Sequence, residues 1–290
     1  MSEVALYLVA TPIGNLGDLS LRAREVLSSV DFIAAEDTRV TQKLLTACAL
    51  PKKPLISYYE HNRRARGEEV LAKLLAGESC ALVTDAGTPA VSDPGEDLVA
   101  LCAAHDVPVI PIPGCCAAVC ALAASGLPTG RWCFEGFLSV NKKARREHLD
   151  ALQGEKRTMI FYEAPHKLCA TLRDLADAFG GERRISLSRE LTKLHEETLR
   201  FTLSEAVQHF DQTPPRGEFV LIVEGAPDMP DTPEDADARL QAAADEVRRR
   251  VAQGETQKDA VKAVSAEAGV KKNALYRLVL ELEEQENAGD

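Results

Sequence analysis

The segment 34–39, which reads Ala-Ala-Glu-Asp-Thr-Arg, places two carboxylates and a guanidinium directly after a short apolar run. Charges beside a buried strand are costly unless they are solvated, paired or used in chemistry. Glu36 or Asp37 could accept a proton from a weakly acidic hydroxyl, and Arg39 could bind a phosphate. A structural interpretation also fits, in which Asp37 or Thr38 caps the helix that follows.

Three other loops combine glycine, proline and small residues. Loop 10–18 lacks both Gly-x-Gly-x-x-Gly and the Gly-Lys-Ser/Thr ending, which argues against nicotinamide and ATP binding. Loop 84–95 holds so many turn-forming residues that a fixed backbone close to a ligand is predicted, although Asp93 could simply cap the next helix. Loop 111–118 opens a helix of small residues, which favours either ligand access to the helix N-terminus or close helix packing.

The elements that must position these loops alternate between β-type and helical patterns. Short apolar runs predict five strands, at residues 5–10, 32–35, 55–58, 80–84 and 107–112. Helical spacing lies between most of them, so an N-terminal lobe over residues 1–116 is expected to be an α/β structure with a mostly parallel sheet. Ligands bind at the carboxyl ends of strands in such sheets, which is where all four segments lie.

A second pattern begins after Gly114 and predicts a C-terminal lobe over residues 117–226. Its expected strands lie at residues 132–138, 158–162, 184–188, 198–202 and 219–223, and its expected helices at 117–124, 142–152, 166–179 and 204–210. The hairpin-like succession of strands at 184–202 indicates a mixed sheet. At 290 residues, two domains with a small appendage agree with the usual size of a domain.

The remainder of the chain predicts an acidic linker, residues 227–237, and a helical module, residues 238–290. Helical patterns at 238–252, 257–268 and 271–284, with a glycine turn between the last two, are typical of a helix-turn-helix. Residues 228–238 and 281–290 each carry five acids and no base, whereas residues 239–280 carry nine bases and five acids, a net charge of +4. Such a module could equally serve packing or dimerisation.

The total charge of −11 argues against a nucleic-acid binder that uses its whole surface, because phosphates are attracted by local positive charge. Two basic clusters and the helical module could together form a localised basic track. The candidate contacts to RNA are Arg63, Arg64, Lys142, Lys143, Arg145, Arg146, Lys271 and Lys272. For either cluster alone, a solvated helix face is an equally good interpretation.

The eight cysteines contain no Cys-x-x-Cys pair and no histidine at ligand spacing, so we expect reduced, mostly buried thiols and no metal. The first residues lead straight into the apolar run 4–10, without a basic region or cleavage site. The longest apolar runs are too short to cross a bilayer. These features predict a cytoplasmic protein.

Taken in order, six segments resemble the tetrapyrrole methylase superfamily, and within it the branch of the 16S rRNA (cytidine-2′-O)-methyltransferases. The segments are residues 11–16, 35–39, 85–95, 162–166, 188–193 and 269–276, which are spread over nearly the whole length of the chain. The resemblance implies two lobes that clamp S-adenosylmethionine in a cleft, usually in a homodimer. By position, it assigns cofactor binding to Pro12, Asp85, Ala86, Gly87, Cys116, Ala117, Tyr162 and Glu163.

The resemblance implies methylation of the ribose of a decoding-centre cytidine in 16S rRNA, and the helical module is expected to dock on this substrate. Because a ribose hydroxyl is a weak acid, Asp37 or Glu36 is expected to act as or orient a base, and Arg39 to hold a phosphate. The acidic body is expected to favour an assembled small ribosomal subunit over indiscriminate RNA binding. Two alternatives remain open, a tetrapyrrole C-methyltransferase and a non-enzymatic DNA-binding regulator whose α/β body senses a small molecule.

Overall fold

The chain folds into two compact units, residues 1–226 and 227–290. This computed structural model describes residues 4–227 and 233–287, with side-chain environments for residues 4–227 and 237–282. Residues 1–3, residues 228–232 of the predicted linker and residues 288–290 lie outside the described part. Among the described residues, every helix is too short or too polar to cross a bilayer.

The N-terminal lobe is a sheet of five parallel strands in the order β3-β2-β4-β1-β5. Its elements are β1 Leu6–Val9, α1 Leu21–Ser29, β2 Phe32–Ala35, α2 Thr38–Ala47, β3 Leu55–Ser57, α3 Arg63–Leu75, β4 Cys80–Val83, α4 Glu96–Ala104 and β5 Val109–Ile112. Alternate strand residues point to opposite faces, so α1 and α2 pack on one face of the sheet and α3 and α4 on the other.

The C-terminal lobe is a mixed sheet in the order β6-β7-β10-β8-β9, in which only β6 and β7 are parallel. Its elements are α5 Ala117–Ala124, β6 Trp132–Phe137, α6 Lys142–Ala151, β7 Thr158–Glu163, α7 Pro165–Phe179, β8 Arg184–Arg189, β9 Glu197–Thr202, α8 Leu203–Gln212 and β10 Phe219–Val223. Helix α5 packs on one face of this sheet, and α6, α7 and α8 pack on the other.

The helical module contains α9 Pro233–Ala252, α10 Gln257–Glu267 and α11 Lys272–Asn287. Small and branched apolar side chains from all three helices form a core of their own, with Ala244, Val247, Val261, Leu275 and Val279 fully buried. This unit therefore has the separate core that an independently folding domain requires.

The predicted fold class is confirmed, since the structure has a parallel sheet, a mixed sheet and a helical C-terminal region. Three details differ from prediction. Residues 233–237, expected to belong to the linker, are helical because Pro233 suits the first position of a helix. The cap of α4 is Gly95 and not Asp93. Of the eight free cysteines, only Cys48, Cys80 and Cys102 are buried.

Gly95 provides a test of how tightly loop 84–95 packs on the sheet. Its φ of 139° is one that other residues rarely adopt, and a Cβ there would lie 2.7 Å from Leu82 Cδ2. We expect Gly95→Ala to lower the free energy of unfolding by about 2–4 kcal/mol, from strain and overpacking together. Gly77→Ala is the matched control, because Gly77 also has a positive φ but open space around it. Denaturant unfolding should show that the control lowers the free energy of unfolding by only about 1 kcal/mol. Equal losses in the two variants would contradict the packing argument.

Candidate active site

Three loops at the carboxyl ends of the parallel strands are tied together by hydrogen bonds. Thr11 and Gly87 form an antiparallel bridge, with backbone N–H to O distances of 2.9 and 3.0 Å. The Thr11 hydroxyl donates to the Thr84 carbonyl at 3.1 Å, and the Thr88 hydroxyl donates to the Cys115 carbonyl at 2.9 Å. Loops 10–18, 84–95 and 111–118 are therefore held as one unit, as expected for a preorganised site.

Three carboxylates gather beside these loops. Glu36 Oε2 accepts hydrogen bonds from the Thr84 hydroxyl at 2.5 Å and the Asp85 amide at 3.2 Å, and Asp85 Oδ1 accepts from the Asp37 amide at 3.2 Å. Burial and the nearby Glu36 raise the pKa of Asp85, and the same two causes raise the pKa of Asp93 to about 6. The negative charges of these three acids repel one another, and a positively charged ligand would reduce this repulsion.

Loop 84–95 is held in a strained backbone. Ala90 and Ser92 have φ angles of 64° and 62°, in the left-handed region that side chains other than glycine seldom enter. Each such residue costs on the order of 1–3 kcal/mol and persists only where its surroundings enforce it. Strain of this kind is concentrated at functional sites, which supports a role for Asp93, the residue after Ser92.

The C-terminal lobe contributes an aromatic wall. The Tyr162 hydroxyl accepts a hydrogen bond from the Ala118 amide at 3.2 Å, and burial raises the pKa of this phenol to about 12. Phe134 and Phe137 both meet the Tyr162 ring edge-on, at centroid distances of 5.1 and 5.5 Å. Tyr162 is therefore fixed in its neutral form at neutral pH.

Glu163, the residue after Tyr162, is buried and belongs to a polar network that extends to helix α6. Its carboxylate accepts hydrogen bonds from the Ala164 amide at 2.9 Å and from the Thr171 hydroxyl. Arg145 of α6 donates to the same hydroxyl at 3.0 Å and pairs with Asp174 at 2.6 Å. A buried charge needs such partners, so this network orients the end of β7 at the cavity.

A cavity of about 520 Å³ opens between the carboxyl ends of the parallel strands and the C-terminal lobe, within the range of small-molecule sites. Its wall from the N-terminal lobe includes Ile13, Glu36, Asp85, Gly87 and Asp93, and its wall from the C-terminal lobe includes Phe137, Tyr162, Glu163, Glu190 and Lys193. Lys193 is bound by two of its neighbours, Glu190 and Glu218, each at 3.0 Å. The cavity is thus predominantly acidic.

Seven of the eight residues predicted to bind a cofactor line this cavity, namely Asp85, Ala86, Gly87, Cys116, Ala117, Tyr162 and Glu163. Pro12 is not among the lining residues, and its neighbour Ile13 takes that place. The local pattern located the loop, but the direction of each side chain depends on the Thr11–Gly87 bridge.

The three predicted catalytic residues are placed differently from one another. Glu36 lines the cavity, whereas Asp37 and Arg39 are absent from its lining. Asp37 caps α2, and its carboxylate forms a two-pronged pair with the exposed Arg39. This pair lowers the pKa of Asp37 to about 2, which makes its carboxylate a weak base.

The predicted RNA contacts also divide by environment. Arg64, Lys142, Lys143, Arg146, Lys271 and Lys272 are exposed, and Arg63 is half-exposed and pairs with Glu60 and Asp97. Arg145 differs, because its side chain is only 11% exposed and is bound to Thr171 and Asp174. Arg145 therefore makes a structural contact inside the lobe.

Sequence reasoning missed Asp93 and Phe137 as site residues. Asp93 was considered only as a possible helix cap, and the tertiary structure shows that it lies beside Glu36 and Asp85. Phe137 ends an apolar strand and carries no local signal of function. A hint for the C-terminal wall existed in residues 188–193, which include Glu190 and Lys193.

Comparison with known proteins now decides the family. A sequence profile of the tetrapyrrole (corrin/porphyrin) methylases matches residues 5–207. The ribosomal RNA small subunit methyltransferase I of Synechocystis sp. is 50% identical, over 96% of this chain and 98% of that protein. The chain belongs to the tetrapyrrole methylase family.

Other relatives agree with this membership. The ribosomal RNA small subunit methyltransferase I of Halalkalibacterium halodurans is 46% identical, over 94% of this chain and 93% of that protein. The crystal structure of uroporphyrin-III C-methyltransferase from Thermus thermophilus, complexed with S-adenosyl homocysteine, matches with a TM-score of 0.52 and 19% identity. The match covers 76% of this chain and 97% of the other chain, and at this identity it shows a similar fold. The predicted resemblance is confirmed.

The opposite environments of Asp93 and Asp37 predict opposite effects of pH on stability. Because the pKa of Asp93 is raised to about 6, its contribution to folding is present below about pH 4 and is lost as the pH rises through 6. Asp93→Asn should therefore stabilise the protein above pH 6, and this gain should shrink between pH 6 and pH 4. Denaturant unfolding across this range measures the effect.

Asp37→Asn is the control, since Asn can still cap α2. The lowered pKa of Asp37 means that its contribution is present above about pH 4 and is lost only towards pH 2. The small loss of stability in Asp37→Asn should therefore be constant between pH 5 and pH 8. A pH-independent difference for Asp93→Asn would contradict the burial of that carboxyl group.

Proposed function

We propose that this protein transfers a methyl group from S-adenosylmethionine to the ribose 2′-hydroxyl of a decoding-centre cytidine in 16S rRNA. The carrying observation is the acidic cavity at the meeting point of the four predicted loops, in a chain that is 50% identical to a ribosomal RNA small subunit methyltransferase I. The charge and size of the cavity support cofactor binding there, and the relatives support the class of substrate.

The residues of the cavity fit the cofactor. S-adenosylmethionine carries a sulfonium and an ammonium against one carboxylate, so its net positive charge suits Glu36, Asp85 and Asp93. Tyr162 and Cys116 offer surface for the nucleoside, and the backbone of loop 84–95 offers polar groups. When bound, the cofactor supplies an activated methyl group, and the protein must align the acceptor and remove one proton.

Asp93 is the best candidate for the proton acceptor. A general base works best when its pKa lies near the operating pH, and the pKa of Asp93, raised to about 6, is nearer to neutrality than that of Asp37, lowered to about 2. Glu36, which the Thr84 hydroxyl holds in place, adds negative charge that favours proton uptake by Asp93. Arg39, exposed and beside Asp37, remains the proposed contact to a substrate phosphate.

Three single variants distinguish these carboxylates. We expect Asp93→Asn to lower kcat by about 100-fold or more, the usual contribution of a general base, and to weaken cofactor binding by a much smaller factor. Glu36→Gln should lower kcat less, and Asp37→Asn should leave it within about threefold. Single-turnover methyl transfer to small ribosomal subunits, with calorimetry for cofactor binding, measures both quantities. Loss of turnover in Asp37→Asn together with an active Asp93→Asn would restore the assignment made from the sequence.

We further propose that the substrate is the assembled small subunit and that the helical module binds it. The exposed Lys271 and Lys272 lie at the start of α11, where basic side chains of a helix-turn-helix can contact phosphates. The exposed Arg64, Lys142, Lys143 and Arg146 are proposed as further contacts. The proposed place of action is the cytoplasm, and a homodimer remains a prediction.

The role of the module can be tested by charge. Replacing Lys271 and Lys272 with alanine should raise the Kd for small subunits and reduce the salt dependence of binding by about two phosphate contacts, with cofactor affinity unchanged. Arg249 and Arg250 serve as the paired control, because both are bound to Glu246 within the module. Filter binding at several salt concentrations measures both variants. An unchanged Kd and salt slope for the lysine variant would remove these residues from the interface.

The two alternatives give different results in one assay. Labelled S-adenosylmethionine is incubated with the protein and with small subunits, a porphyrinoid precursor or duplex DNA. Methyl label on the ribose of the subunit RNA supports the proposal. Label on the porphyrinoid would indicate a tetrapyrrole C-methyltransferase, and binding of DNA without any label would indicate a regulator.

A further inference from the structure

A bulge in strand β6 decides where Phe137 points. Trp132 to Phe134 pair in register with Thr158 to Ile160 of β7, and the register then shifts, so that Gly136 pairs with Phe161 and Phe137 with Tyr162. In a regular strand, residues 134 and 137 would face opposite sides. The extra residue brings both rings to the same side, where both contact Tyr162.

The bulge lies against the strained loop of the N-terminal lobe. Gly136 has a φ of 64°, and a Cβ on it would lie 3.4 Å from Ser92 Oγ. Val91 precedes Ser92 in the chain, and Phe137 follows Gly136. These two side chains are 43% and 62% exposed, and both line the cavity. Apolar surface from both lobes thus borders the cavity next to Asp93.

We propose that Phe137 stacks on the base of the nucleotide that is methylated and holds it out of the RNA stack. This inference rests on the proposed function and adds the residue that recognises the substrate base. An acceptor ribose that reaches Asp93 brings its own base within one nucleotide's length, so a flat apolar surface beside Asp93 is available to that base. An aromatic face binds an unstacked base in this way, and an enzyme acting on one nucleotide commonly displaces it from its neighbours.

The position of Phe137 favours a base of the substrate over the cofactor. Tyr162 is partly buried and hydrogen-bonded to α5, whereas Phe137 keeps most of its ring in solvent at the edge of the same wall. The bulge and Gly136 are needed to present the ring there, at the expense of regular pairing in β6. A surface that is built in this way and left open matches a ligand that arrives and leaves with each turnover.

The test compares variants that separate aromatic stacking from bulk. Phe137→Leu keeps an apolar side chain of similar size without a π face, and Phe137→Tyr keeps the ring. We expect Phe137→Leu and Phe137→Ala to lower kcat/KM for small subunits about 10- to 100-fold, the effect of losing one base–aromatic stack, and Phe137→Tyr to stay within about threefold of the wild type. The Kd for S-adenosylmethionine and the Tm should change little in all three.

Trp132→Leu is the matched control, because Trp132 is an exposed aromatic residue of the same strand that does not line the cavity. It should leave kcat/KM unchanged. Full activity of Phe137→Leu in an assay where the wild-type protein methylates small subunits would overturn the stacking role. An equal loss of cofactor affinity in Phe137→Leu would also overturn it, because the ring would then belong to the cofactor site. If the wild-type protein itself transfers no methyl group to small subunits, the proposed function fails first.

Discussion

The site depends on Thr84, at the carboxyl end of the central strand β4. Its hydroxyl donates to Glu36 on the β2 side, and its carbonyl accepts from Thr11 on the β1 side. Since β4 lies between β2 and β1 in the sheet, one buried residue joins the loops of three strands. Buried polar groups are stable only when such bonds are made, so the positions of these loops are coupled to one another.

This coupling concentrates negative charge. Glu36 and Asp85 are brought together by the same bonds, and Asp93 joins them through the strained loop that ends at Gly95. In the free protein this arrangement opposes stability, as the raised pKa of Asp93 shows. A cationic ligand would relieve this repulsion, so part of the electrostatic cost in the free protein would be returned as binding energy.

The two sheets of the larger unit contribute different groups to the cavity. The parallel sheet supplies carboxylates and backbone groups, and the mixed sheet supplies aromatic rings and the buried network of Arg145, Thr171 and Glu163. The helical module has its own core, and its residues 239–280 carry nine bases against five acids. Chemistry and substrate capture can therefore reside in parts of the chain that are stabilised separately.

The sequence by itself determined the class of both sheets, the positions of the ten strands and the loops that border the cavity, because these follow from the local periodicity of apolar residues and from turn-forming residues. Tertiary structure alone decided which charged side chains face the cavity. Asp37 caps its own helix and pairs with Arg39, whereas Asp93 lies near Glu36. Arg145 is largely buried in an ion pair with Asp174. Local pattern gives the type of a residue and the end of a strand on which it lies, but charge pairing, burial and the bulge beside Phe137 arise from partners that are distant in the chain.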